Sequence, residues 1–322
     1  MWSSAVSFKN GHLEIGGLSA RTLAEEFGTP TFFIDENHFR ARAQLWSDAL
    51  EASFGESAGT VYYAAKAFIC TDVVRWIKEV GIGIDVCTGG ELAVALAGGI
   101  DPKKIELHGN NKSVSEINRA VEVGVRIIVI DSLFEIDRVS AAAERNGIRQ
   151  AVMLRLTPGV QADTHQSIST AHEDVKFGFS IASGAAWAAI AQVMSDKNLE
   201  LKGFHCHVGS QIFGTDSFEL AATRIIGLMA KFKEEYGSEL PELDLGGGYA
   251  IAYLPGEITV EPEDVLPSLS EVVKRECKAA GLALPLISIE PGRNIVGPTT
   301  FTLYEVGTVK DVTLEDGAIR KY

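Results

Sequence analysis

The sequence predicts an α/β protein built on a closed (β/α)8 barrel. Three observations predict it. From residue 60 onward, short apolar strand-like runs alternate with segments of helical period. The runs number eight, the complement of a closed ring. Polar residues able to do chemistry recur at the carboxyl end of one run after another, the rim where such barrels gather their reactive groups. With 322 residues, 46% of them hydrophobic, the chain can bury a core of that size.

Ahead of the barrel, VSFKNGHLEIGG (6–17) reads as a hairpin, TFFID (31–35) as a strand and residues 37–50 as a helix. The eight runs are VYYAAK (61–66), GIDVC (83–87), IELHG (105–109), IIVID (127–131), AVMLRLT (151–157), GFHCHVG (203–209), LDLGG (243–247) and LISIE (286–290). The linking segments carry the grammar of outer helices. Thr71 is expected to cap a helix whose Val73, Val74, Ile77 and Val80 share one face until Gly81 stops it. Ser113 and Glu116 have capping-box spacing, Val114, Ile117 and Val121 form an apolar stripe, and Gly124 stands where a C′ glycine belongs. Between the fifth and sixth runs, QADTHQSISTAHEDVKFG (161–178) is polar and aperiodic, as expected of a functional loop.

After residue 300 the pattern returns to β alternation with a turn at Asp316-Gly317. Strands at that point lack partners within the sequence, so they are expected to open a β-domain whose remainder lies beyond residue 322. The expected division is therefore 1–30 as a segment belonging with the β-domain, 31–300 as the barrel, and 301–322 as the start of the C-terminal β-domain.

Forty-three Asp and Glu against 29 Lys and Arg give a formal net charge of -14, a field that repels nucleic acid and anionic membrane surfaces. Cys70, Cys87, Cys206 and Cys277 form no CxxC pair, so neither a disulfide framework nor a zinc site is expected, and no metal is assigned. The first thirty residues contain no signal-peptide run, and no stretch approaches the ~20 apolar residues of a membrane span. A soluble cytoplasmic protein is expected.

Lys66 ends the first run, and a lysine there is expected to have its pKa lowered by desolvation, as Schiff-base chemistry requires; the competing reading is a lysine that snorkels to solvent. Asp85, His108, Asn110, Asp131, Arg155 and His207 follow at or near the ends of runs two to six. Gly246–Gly248 after run seven and Pro291-Gly292-Arg293 after run eight offer backbone donors and a guanidinium to an anion, at the two loops where barrels commonly hold phosphate; otherwise they are tight turns. Glu290 is suited to face a pyridine nitrogen and keep it protonated, or else to pair with Arg293. His207 could stack on a planar cofactor while Ser210 donates to a phosphate oxygen; the alternative is a hydrogen-bonded histidine at a strand end.

YYAAKA (62–67), HGNNKS (108–113), HVGSQ (207–211), DLGGG (244–248) and EPGR (290–293) together resemble the fold-type III, alanine-racemase-like pyridoxal-phosphate enzymes over nearly the whole chain. HGNNKS with ISTAHEDVKFG (168–178) resembles their diaminopimelate decarboxylase family more than ornithine or arginine decarboxylases. The resemblance implies pyridoxal 5′-phosphate as cofactor, Lys66 as its Schiff-base lysine and His207 stacked on its ring. It also places Glu290 at the pyridine nitrogen, and Ser210, Gly248, Pro291, Gly292 and Arg293 around the phosphate, Arg293 also meeting a substrate carboxylate. It further implies decarboxylation of meso-2,6-diaminopimelate to L-lysine and a homodimer with the active site at its interface. Ala250 departs from the glycine expected there, and nothing in the chain matches the family's Cys-Glu-Ser-Gly segment.

Other functions remain to be separated: a racemase, which needs a base on each face of the substrate carbon; another basic amino-acid decarboxylase; a non-catalytic barrel binding the cofactor or a partner; and an aldolase using Lys66, in which Glu290 would have no task.

Overall fold

The computed structural model describes residues 5–160, 176–254 and 256–322. Of the polar segment 161–178, only Lys176, Phe177 and Gly178 fall among them, so the loop expected there lies otherwise outside the described residues.

Two compact units are present, Arg40–Gly297 and the described residues of Trp2–Phe39 with Pro298–Tyr322. The larger is the barrel. Its strands are β1 (Ala58–Ala64), β2 (Gly83–Val86), β3 (Ile105–Leu107), β4 (Ile127–Ile130), β5 (Gln150–Thr157), β6 (Leu199–Cys206), β7 (Glu242–Asp244) and β8 (Leu286–Ile289). All are parallel in sequential order, and the β8–β1 and β4–β5 pairings close the ring. Strands covered on both faces read as unbroken apolar runs, which is why Ile127–Ile130 is buried at every position. A short strand, Phe179–Ser180, adds in parallel to the end of β5.

Outside the ring run α1 (Thr71–Val80), α2 (Gly89–Gly98), α3 (Val114–Val123), α4 (Leu133–Asn146), α5 (Ala185–Ser195), α6 (Asp216–Tyr236), α7 (Pro262–Ala279) and the short α8 (Gly292–Val296). The capping box of α3 forms as expected, and Gly81 and Gly124 close α1 and α3 in the left-handed conformation. Two local expectations fail. Thr71 is the first helical residue, not the cap: Cys70 holds the N-cap position and makes no side-chain cap bond. Val114 is 51% exposed, and Ala120 takes its place in the stripe with Ile117 and Val121.

The barrel's N-terminal end is plugged by charge. Arg126 donates from Nη1 to the Tyr62 hydroxyl (3.1 Å) and Glu106 Oε1 (3.2 Å), and from Nη2 to Glu242 Oε2 (2.6 Å). Where β6 passes β7 the backbones nearly touch, for a Cβ on Gly203 would lie 1.8 Å from the Glu242 carbonyl oxygen.

In the smaller unit, Val6–Lys9 and His12–Ile15 form the expected hairpin through Asn10 and Gly11, both at positive φ. Thr31–Ile34 pairs antiparallel with Thr300–Leu303, and Asp311–Thr313 with Ile319–Lys321 around Gly317. The helix Glu36–Phe54 leads towards β1. Among the described residues no helix is long and apolar enough to cross a membrane.

Candidate active site

Most runs read from the sequence overshoot their strands. β1 ends at Ala64, β6 at Cys206 and β8 at Ile289, so Lys66, His207 and Glu290 stand in the turns just past them, where side chains leave the ladder and project over the barrel mouth. Lys66 sits in the short 3-10 turn Ala65–Ala67 with its side chain 49% exposed, and Nζ donates to Asp85 Oδ2 at 3.3 Å. Asp85, on β2, has no exposure at all. The expected lowering of the Lys66 pKa is overturned: the surrounding protein pulls the ammonium down, but Asp85 and then Glu290 outweigh it and hold the group above its ordinary value. Asp85 in turn is pushed up to about 7, by burial against the opposing pull of Lys66.

Glu290 is 3% exposed, and its Oε1 lies 3.1 Å from Nε2 of both His108 and His205. Burial alone would raise its pKa, yet His108, His205 and Lys66 hold the carboxyl well below the usual range. Glu290 does not pair with Arg293, the alternative the sequence left open. His207 is partly exposed, its Nδ1 accepts weakly from the Gly247 N–H at 3.4 Å, and the surrounding protein with the charges of Lys66 and Arg155 holds its imidazole well below the ordinary range.

Arg293 instead reaches across the mouth, donating from Nη2 to Ser210 Oγ (3.1 Å) and from Nη1 to the Tyr253 hydroxyl (2.5 Å). The turn after β6, which carries Ser210, thus meets the anion-suited loop after β8, which carries Arg293. The Gly triplet lies between them. Gly248 has φ +112°, and a Cβ there would stand 2.2 Å from the Gly209 carbonyl oxygen; one on Gly247 would stand 2.2 Å from that of Glu290. Gly292, behind the buried Pro291, would bring a Cβ to 2.7 Å from Ala64. Only glycine allows these backbones to converge.

The remaining rim residues take supporting places. Arg155 lies 3.9 Å from Asp131 Oδ2 with its guanidinium 4.4 Å from the Phe177 ring, and Asp131 Oδ1 accepts from the Gly178 N–H at 3.0 Å. Asn110 donates to the Lys176 carbonyl at 3.4 Å. Sequence reasoning missed three residues. His205 reads as core of β6, although its spacing of two from His207 marks the same strand face. Tyr253 lies in a loop with no periodic signal. Lys112 of HGNNKS is a 2% exposed anchor that donates to the carbonyls of Gly109 (2.7 Å) and Val129 (2.6 Å) and pairs with Glu135.

These residues fit pyridoxal 5′-phosphate by their own chemistry. Glu290 is a buried carboxyl held in its ionised form, which suits a carboxylate built for a cationic pyridine nitrogen. The glycine loops with Ser210 and Arg293 supply donors for a phosphate, and Lys66 supplies the amine.

Residues 36–297 match the family model described as "Pyridoxal-dependent decarboxylase, pyridoxal binding domain". Diaminopimelate decarboxylase of Mycobacterium tuberculosis is 52% identical over 312 residues, 96% of this chain and 69% of that protein. The enzyme of that name from Corynebacterium efficiens is 42% identical over 319 residues, 99% of this chain and 68% of that one. The crystal structure of diaminopimelate decarboxylase from M. jannaschii in complex with L-lysine superposes with a TM-score of 0.88 at 30% identity, over 97% of this chain and 72% of that chain. With its closed barrel and the lysine, histidine and glutamate gathered at the mouth, the chain belongs to the pyridoxal-dependent decarboxylases, in the family of the diaminopimelate decarboxylases.

Proposed function

We propose that the chain carries the cofactor-binding barrel of a decarboxylase that converts meso-2,6-diaminopimelate to L-lysine and carbon dioxide, the closing step of lysine biosynthesis. The observation that carries this reading is the convergence of Lys66, Glu290, His207 and the Ser210–Arg293 pair on one barrel mouth. When bound, pyridoxal phosphate supplies an electron sink for the pair left behind as a carboxylate departs.

The chain's own residues do the rest. Lys66 would be the amine that holds the cofactor. His207 would pack against its ring, and the negative Glu290 would keep its nitrogen protonated. Ser210, Gly248, Pro291, Gly292 and Arg293 form the phosphate end, with the Arg293 fork also within reach of a substrate carboxylate. Loss of a carboxylate needs no general base, so the protein's work is orientation of the breaking bond and exclusion of competing proton transfer. The units on either side of residues 31–300 belong on this reading to a β-domain, and the enzyme works as a cytoplasmic homodimer completed at the subunit interface.

The test is an absorbance spectrum of the protein with added pyridoxal phosphate. A lysine-bound cofactor band is expected, fixed by borohydride on Lys66 and missing in Lys66→Ala. Incubation with meso-diaminopimelate should release carbon dioxide and lysine in equal amounts; exchange of the α-proton without carbon dioxide would point to a racemase instead.

A further inference from the structure

We propose that His108 and His205 are positioning residues that grip Oε1 of Glu290 between their Nε2 atoms and leave its other oxygen to the cofactor's pyridine nitrogen, an inference that rests on the function proposed above. Both imidazoles come from the strands or turns facing β8, His205 from within β6 and His108 from just past β3. Each Nε2 stands 3.1 Å from Oε1, and the rings pack edge to face with centroids 4.8 Å apart. His108 is 2% exposed and His205 1%, so water does not compete for them. In the ring orientations present, neither Nε2 nor Oε1 has a hydrogen-bond partner among the described residues, so the three buried atoms are left to one another. A carboxylate oxygen has lone pairs enough for two N–H donors, and modest ring rotation aligns both.

Charge supports the same arrangement. Burial pushes both imidazoles below their ordinary range, so each carries one proton, and the carboxylate 3.1 Å away selects the Nε2–H form. The other acids near His108 lie further off, Glu106 Oε2 at 3.7 Å and Asp85 Oδ1 at 3.8 Å, and burial raises the pKa of each towards the neutral form. The trio therefore carries a single negative charge, fixed on Glu290 where the pyridine nitrogen needs it.

The experiment has two readouts. In the cofactor-free protein with 15N-labelled histidine, the Nε2–H resonances of His108 and His205 should move on Glu290→Gln. In a double-mutant cycle, His205→Phe should weaken cofactor binding roughly tenfold with Glu290 present and less than about twofold in a Glu290→Gln background. His205→Gln, whose amide N–H reaches a similar place, should recover most of the loss. Equal losses in both backgrounds, or histidine resonances indifferent to Glu290→Gln, would overturn the proposal by showing a purely structural role. Absence of a Lys66-bound band in the unaltered protein would count against the functional reading alone, because the resonances still report on the grip.

Discussion

Lys66 Nζ and Asp85 Oδ2 stand 3.3 Å apart, so the amine at the centre of the proposed chemistry is held as an ion pair and not as a desolvated base. Asp85 is fully buried, and its Oδ1 also accepts from Cys87 Sγ at 3.7 Å. The pair keeps a proton on Lys66, and capture of an aldehyde requires that proton to leave. Asp85→Asn should lower the Lys66 pKa by about one unit or more, and so speed the appearance of the Lys66-bound cofactor band at neutral pH by about tenfold. Stopped-flow absorbance reads this directly, and an unchanged or slower rate would show that Asp85 does not hold the proton there.

Arg293 spans Ser210 and Tyr253 with two different nitrogens, a geometry that a lysine cannot copy. Arg293→Lys should keep the charge and lose the fork, raising the cofactor Kd on the order of tenfold, with Ser210→Ala giving a smaller loss. Fluorescence titration of both variants checks it; equal affinity for Arg293→Lys and the parent would remove Arg293 from the phosphate end.

Lys112 and Glu135 form an ion pair with side chains 1% and 5% exposed. Removing one partner strands the other, so Lys112→Met should cost about 3–5 kcal/mol. Lys112→Met combined with Glu135→Leu should recover much of that, since no charge is then left buried. Denaturant unfolding of the three proteins decides it, and a double variant as unstable as the single one would place the cost in the lost carbonyl contacts at Gly109 and Val129.

The barrel was legible because strands covered on both faces leave unbroken apolar runs such as Ile127–Ile130, and because capping at Ser113 and Glu116 is local. The gathering of Lys66, His207, Ser210, Glu290 and Arg293 at one mouth was legible through the rule that barrels work at their C-terminal rim. The protonation of Lys66 was not, because its partner Asp85 is contributed by the next strand, and proximity in sequence says nothing of a 3.3 Å approach. His205 was hidden for a similar reason: within GFHCHVG it reads as one more inward residue of β6, and only packing brings it to Glu290.

Glu106 lies inside the barrel with no exposure, Oε1 accepting from Arg126 and Oε2 without a hydrogen-bond partner among the described residues. Burial pushes its carboxyl up to about 8, Arg126 pulling against it and Glu290 adding to it. The sign follows from proton counting. Between its ordinary value of 4.5 and about 8, the folded chain keeps a proton that the unfolded chain has released, so stability falls as pH rises across that window. Asp85, raised to about 7, adds a slope of the same sign, whereas Glu290 and the neutral imidazoles lose stability only on the acid side. Glu106→Gln has no such proton to lose. Its Tm relative to the parent, measured without cofactor at pH 5 and at pH 8.5, should shift in its favour by on the order of a few degrees at the higher pH. A difference that does not change with pH would mean that Glu106 is ionised throughout, its charge held by Arg126.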